Sequence, residues 1–84
     1  MATVTIPPEA GRQFDALPKP MQQRVALLLE RLRNWPDVSG AKPLRGKLAG
    51  RYRIRTGDYR LQFQVVGERV IVEKIGHRDG FYED

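Results

Sequence analysis

Three features of the sequence predict an α+β domain in which a pair of helices lies over the apolar side of a β-meander. Arg51 to Val66 reads as a β-hairpin with one cationic face and one apolar face. Lys19 to Leu32 carries its apolar residues at helical spacing. At 84 residues the chain can build one modest core, so that helix and that hairpin must cover one another. Residues 1–84 are accordingly read as a single domain.

From the N-terminus, Thr3-Val4-Thr5-Ile6 alternates and is rich in β-branched side chains, which predicts a short strand stopped by Pro7-Pro8. Pro8 suits the first turn of a helix, where a missing N–H costs nothing. Ala10, Phe14 and Leu17 recur at i, i+4 and i+7 and form a buried stripe, while Gly11 weakens this helix slightly and Pro18 ends it. A second helix starts near Lys19-Pro20. It sets Met21, Val25, Leu28, Leu29 and Leu32 on one face, with Gln22, Gln23, Glu30, Arg31 and Arg33 mostly away from it. The short proline-bearing link makes the two helices antiparallel. Asn34-Trp35-Pro36 closes the second helix, and Asp37 to Gly50, with Ser39-Gly40, Pro43, Gly46 and Gly50, reads as a loop carrying Lys42, Arg45 and Lys47.

The register of the hairpin follows from Gly57-Asp58 as a two-residue turn. Thr56 then opposes Tyr59, Arg55 opposes Arg60, Ile54 opposes Leu61, Arg53 opposes Gln62, Tyr52 opposes Phe63 and Arg51 opposes Gln64. Opposed residues share a face. Tyr52, Ile54, Leu61 and Phe63 therefore form an apolar side, and Arg51, Arg53, Arg55, Arg60, Gln62 and Gln64 form the other. A slip of one residue would scramble that separation. Arg55 against Arg60 is an unfavourable like-charge pair, which points to an anionic partner for this face. A solvated face whose arginines only keep a sheet edge from aggregating is the structural alternative.

Gly67-Glu68 makes a second tight turn into Arg69 to Ile75. Carrying the register through it pairs Phe63 with Val72 and Gln62 with Glu73. Val70 and Val72 are then expected in the core, Ile71, Glu73 and Ile75 on the arginine side, and Lys74 on the core side at a strand end with its ammonium reaching water. His77 continues the parity of Ile75 and Glu73 onto the arginine side. It brings a group that titrates near neutrality, Arg78 brings another fixed cation, and Tyr82 brings a phenol able to donate a proton or stack on a base.

Lys and Arg number 15 against 10 Asp and Glu, a net charge of +5 that suits a polyanion such as nucleic acid or an acidic protein. The N-terminus lacks a secretory pattern and no apolar run approaches membrane-spanning length, so the chain is expected to be cytoplasmic and to make no membrane contact. There is no cysteine and a single histidine, which argues against disulfides and a zinc site; no metal or other cofactor is expected.

Strand, helix hairpin, LRGKLAGRYRIRTGDYRLQFQV and VIVEKIGHRDGFYED together resemble the RelE/ParE superfamily of bacterial and archaeal toxins from type II toxin–antitoxin modules. The likeness spans nearly the whole chain. Its most specific part is L-x-G…Y-R-I-R…D-Y-R-L-x-F…I-x-H-R…Y. It implies two N-terminal helices packed on one face of a four-stranded, mainly antiparallel twisted sheet. Within the superfamily, RelE-like proteins cut mRNA in the ribosomal A site, and ParE-like proteins inhibit DNA gyrase without being nucleases. The RelE-like pattern falls on Arg53, Arg55, Arg60, Arg78 and Tyr82, with His77 matching a His-Arg variant of the last element, and this tail set favours the nuclease branch. Two departures stand out. Arg53 and Arg55 occupy positions often held by lysine, and arginine does not act as a general base; the chain also stops two residues after Tyr82.

The resemblance thus implies a ribosome-dependent, metal-independent endoribonuclease in which a 2′-OH attacks the adjacent phosphodiester. Arg60 and Arg78 would hold the scissile phosphate, His77 and Tyr82 would move protons, and Arg45, Lys47, Arg53 and Arg55 would bind the RNA backbone. It implies as partners a cognate antitoxin, the ribosome and mRNA, and a toxin–antitoxin hetero-oligomer on operator DNA. A ParE-like gyrase inhibitor and a non-catalytic antitoxin-binding homologue are the alternatives.

Overall fold

The computed structural model describes residues 1–81. Its elements are β1 (Thr3–Thr5), α1 (Pro8–Asp15), α2 (Lys19–Leu32), β2 (Lys42–Pro43), a 3₁₀ turn (Gly46–Leu48), β3 (Arg51–Thr56), β4 (Tyr59–Val66), β5 (Arg69–His77) and the one-turn α3 (Arg78–Phe81). The strands make one sheet in the order β1-β5-β4-β3-β2. β1 runs parallel to β5 and the other pairs are antiparallel. The sheet has five strands where four were expected, because Lys42 and Pro43 leave the loop to pair with Arg53 and Tyr52. Proline is tolerated there since β2 is an edge strand.

Both helices begin with a proline at the first turn, and both bury one stripe against the same sheet face. Ala10 of α1 and Val25, Leu28 and Leu32 of α2 meet Ile54, Leu61, Phe63, Val70, Val72 and Ile75 in one core cluster. Each fully buried side chain of that size stabilises by about 1.5–3 kcal/mol. Trp35 seals one margin, with ring centroids 4.6 Å from Tyr52 and 5.4 Å from Phe63. β1 reaches β5 only as far as Ile71. Beyond that point the Ile75 backbone N–H donates to Gln13 Oε1 of α1 at 2.8 Å, so a helix side chain takes over where the neighbouring strand ends.

The β3–β4 register is the expected one at every pair from Arg51–Gln64 to Thr56–Tyr59. Gly57 and Gly67 supply positive φ values of +59° and +60° in the two turns, a conformation that side chains with a Cβ resist. Between β4 and β5 the register holds from Val66–Arg69 to Phe63–Val72 and then breaks. Gln62 pairs with Lys74 rather than Glu73, so β5 carries a bulge.

That extra residue inverts the parity of everything after it. Ile75, expected on the arginine side, opposes Leu61 and is 4% exposed in the core. Lys74, expected on the core side, opposes Gln62 and lies on the arginine face. His77 opposes Tyr59 on the helix-covered side instead of continuing the parity of Glu73. A buried Ile75 and a Lys74 whose ammonium finds a polar partner are much cheaper than the reverse, and the bulge is the backbone's means of securing them.

Candidate nucleic-acid interface

On the face away from the helices, pairing arranges the side chains in rows that run across the strands. Lys42, Arg53, Gln62 and Lys74 make one row, and Arg55, Arg60 and Gly76 the next. Lys42, Arg53, Arg55 and Arg60 line a groove of about 370 Å³ together with Gly40 and Ile54. Two like-charge cross-strand pairs, Lys42 with Arg53 and Arg55 with Arg60, therefore stand side by side. Like charges directly opposite on a sheet are unfavourable to one another.

The other end of the face is neutralised from within. Arg51 Nε donates to both carboxylate oxygens of Glu73, at 2.9 and 3.0 Å, and Gln62 Nε2 donates to Oε1 at 3.2 Å. The bulge keeps Glu73 on this face while also admitting Lys74. Held by two donors, the Glu73 carboxylate acts as a structural anion beside Arg51, and positive charge is left concentrated in the Lys42–Arg60 half.

The β3–β4 turn orients two of the expected phosphate ligands. Arg60 Nη1 donates to the Gly57 carbonyl at 3.1 Å. The backbone N–H of Arg78 donates to the Asp58 carbonyl at 2.8 Å, and its guanidinium Nε lies 3.9 Å from Asp58 Oδ1 and 3.6 Å from Asp79 Oδ1. Arg78 is exposed beside the β3–β4 turn that Arg60 also contacts. His77 is near them in sequence but turned toward Tyr59, with ring centroids 5.2 Å apart. Its Nδ1 accepts the Asp79 N–H at 3.1 Å and stands 3.4 Å from the Asp79 carboxylate.

The structure thus brings Arg53, Arg55 and Arg60 into the groove, sets Arg78 beside the β3–β4 turn, and puts His77 on the opposite side of the strand end. Arg45 and Lys47 are exposed in the connection before β3, where Leu44 N–H bonds the Arg51 carbonyl. They belong to the Arg51 end, four residues or about 13 Å along the strand from Arg55. Tyr82 lies outside the described residues. Lys42, one of the three loop cations, joins the face through β2, and Lys74 and Phe81 join it unannounced. α3 folds back so that the buried Phe81 ring has Arg53 Cζ 5.8 Å and Lys74 Nζ 4.8 Å from its centroid, and Lys74 Nζ also donates to the Phe81 carbonyl. For Lys74 the signal was in the sequence. Val70 and Val72 alternate, then two polar residues precede Ile75, a break in period that a bulge explains.

Residues 4–80 match the family model of the ParE toxin of the type II toxin–antitoxin system parDE. Toxin RelE3 of Methanocaldococcus jannaschii is 30% identical over 75 residues, covering 86% of this chain and 85% of that protein. The toxin–antitoxin complex RelBE2 from Mycobacterium tuberculosis contains a chain of similar structure, with a TM-score of 0.79 and 28% identity, over 92% of this chain and 98% of that one. The isolated RelE toxin of E. coli has the same fold, at a TM-score of 0.77 and 23% identity over 92% of this chain and 84% of its own. With a family match over nearly its full length and a 30% identical toxin beside it, the chain belongs to the RelE/ParE superfamily of type II toxins.

Proposed function

We propose that this toxin is a ribosome-dependent mRNA endonuclease of the RelE-like kind. The observation that carries the reading is the groove, in which cations from three strands converge. Its like-charge pairs suit a chain of phosphates better than an isolated anion. The RelE3 relative and the RelE-fold structures support the same branch.

In the proposed reaction the 2′-oxygen of one nucleotide loses its proton and attacks the neighbouring phosphorus. The P–O5′ bond breaks, and the departing oxygen takes up a proton, leaving a 2′,3′-cyclic phosphate and a 5′-OH. Arg60 and Arg78 grip the phosphate by forked hydrogen bonds and stabilise the extra charge of the phosphorane. Arg53 and Arg55 hold the flanking backbone, with Arg45 and Lys47 meeting RNA farther along. His77 and Tyr82 are the proton-transfer residues. His77 would serve from the strand end beside Arg78, where its Nδ1 accepts from the Asp79 N–H. The nucleophile comes from the substrate and the charge stabilisation from arginine, so no metal is required by this scheme.

Arginine at 53 and 55 leaves few groups that titrate, so correct placement of the 2′-OH must come from the ribosome; orientation can be worth several orders of magnitude in rate. A cognate antitoxin, supplied in the same module, neutralises the cationic face in the resting complex, and the toxin–antitoxin hetero-oligomer binds operator DNA. The deciding experiment compares mRNA paused on ribosomes with free mRNA, the new 3′ ends being analysed for cyclic phosphate. Ribosome-dependent cuts with cyclic ends support the reading. The match to the ParE family model favours one rival, inhibition of gyrase by the same arginines. Intact mRNA together with blocked supercoiling would establish that rival.

A further inference from the structure

The β3–β4 turn does more than set the hairpin register. Gly57 alone of its two residues takes a positive φ, the pattern of a type II′ turn. Both of its carbonyls accept from arginines: Gly57 from Arg60 Nη1 at 3.1 Å, and Asp58 from the Arg78 backbone N–H at 2.8 Å. α2 also meets the turn, since a Cβ at position 57 would stand 3.3 Å from Arg24 Nη1. One tight turn thus anchors both residues assigned to the scissile phosphate.

The Asp58 side chain adds a second hold on Arg78. Its Oδ1 lies 3.9 Å from Arg78 Nε, and Asp79 Oδ1 lies 3.6 Å from the same nitrogen. All three side chains are exposed, and ion pairs of that kind add little to stability. What such a pair can fix is direction. Nε is the guanidinium nitrogen nearest the backbone, so a carboxylate that engages it leaves the two terminal nitrogens as the fork for a phosphate.

We infer that Asp58 is a positioning residue of the cleavage reaction: by holding Arg78 at its backbone N–H and at Nε, it aims the terminal fork of that guanidinium at the phosphate that reacts. The inference rests on the endonuclease reading for the part Arg78 plays, while the hold itself does not. Its sign separates it from plain electrostatics. Asp58 is an anion beside a phosphate ligand, so charge alone makes its removal favourable to RNA, whereas loss of aim slows the chemistry. A misplacement of about 1 Å can cost about 10²-fold in rate. Asp79 is a poorer handle, because its carboxylate also stands 3.4 Å from His77 Nδ1.

Asp58→Asn removes the charge and keeps the side-chain shape and the turn carbonyl. In single turnovers on ribosome-paused mRNA at saturating toxin it should cut about tenfold more slowly, with half-saturation at the same or a lower toxin concentration. Glu9→Gln, which takes an exposed carboxylate from α1 and changes the net charge equally, should cut at the wild-type rate. Asp58→Glu, which keeps a carboxylate, should recover most of the rate. Added to Arg78→Ala, Asp58→Asn should change the rate by no more than about twofold, because a residue that acts through Arg78 has no effect once that side chain is gone. NMR relaxation of the arginine Nε–H groups reads the hold without any substrate. The order parameter of Arg78 should fall in Asp58→Asn and recover in Asp58→Glu, and that of Arg60 should stay as in wild type.

Cleavage by Asp58→Asn at or above the wild-type rate, equal slowing in Glu9→Gln, or a full tenfold slowing on top of Arg78→Ala overturns the inference. So does an Arg78 order parameter that Asp58→Asn leaves unchanged. In a toxin that cuts no mRNA, loss of Arg78 order in Asp58→Asn upholds the hold and removes the nuclease reading. A wild type that cuts beside an unaffected Asp58→Asn removes the inference alone, so the two fail separately.

Discussion

Leu61 and Arg60 are neighbours on β4 that face opposite ways, and substituting each to alanine should have opposite consequences. Leu61 is 1% exposed, set between Ile54 of β3 and Ile75 of β5 under the helices. Truncation there loses the transfer free energy of the removed carbons and leaves a cavity that a sheet pinned on both sides cannot close. A loss of about 3 kcal/mol is expected, within the range of about 2–5 for such changes. A domain of this size has a total stability of about 4–13 kcal/mol, and the loss should lower Tm by about 12–24 °C. Arg60→Ala gives up one hydrogen bond to the Gly57 carbonyl and relieves the contact with Arg55. Its stability should stay within about 0.5 kcal/mol of wild type, while toxicity and RNA cleavage are lost. Thermal unfolding by circular dichroism, alongside a growth assay, reads both. Equal destabilisation of the two variants would refute the separation of faces on which the site rests.

The bulge makes a second pair. Ile75→Asp should prevent folding by burying an unpaired carboxylate, whereas Lys74→Ala should leave a folded protein; the reverse outcome, read by circular dichroism, would restore the unbulged register. Gln13→Ala removes the acceptor for the Ile75 N–H and should cost about 1 kcal/mol, with faster amide exchange at Ile75 than at Leu61. Glu73→Gln should weaken stability modestly, since the pair with Arg51 is only part-buried, and leave cleavage at saturating substrate unchanged. A large fall in kcat would instead make Glu73 a proton-transfer group. His77→Ala and Tyr82→Phe should each lower the single-turnover rate of the bound complex more than they weaken its binding; a double variant that cuts at the wild-type rate sinks their assignment.

How far the sequence could be read depended on where its signals were periodic. The β3–β4 hairpin was legible pair by pair, because a Gly-led turn fixes the register and five alternating residues on each side agree with it. The helices were legible because Val25, Leu28 and Leu32 recur at helical spacing and a proline opens each first turn. β2 was not, since two residues have no period and Pro43 argues against a strand anywhere but an edge. The bulge at Glu73 escaped a reading that carried alternation straight through, although the adjacent polar pair Glu73-Lys74 recorded the change of phase. That single residue decided the faces of Lys74, Ile75 and His77. That Arg53, Arg55 and Arg60 share one face was legible from the hairpin register. The groove's fourth wall, Lys42, came from pairing across the sheet, and Arg45 and Lys47 proved to lie at the other end for the same reason.

In the proposed function the arginine face cuts RNA. Primer extension on mRNA paused in ribosomes, with wild type, Arg60→Ala and Arg78→Ala compared at equal, saturating toxin, addresses it most directly. Wild type should cut in the A-site codon, and each variant should lose about 10²–10³ in rate, the loss typical of removing one donor that stabilises a transition-state oxyanion. Cleavage by Arg60→Ala at the wild-type rate, or intact mRNA with wild type in a preparation that blocks gyrase supercoiling, would contradict it.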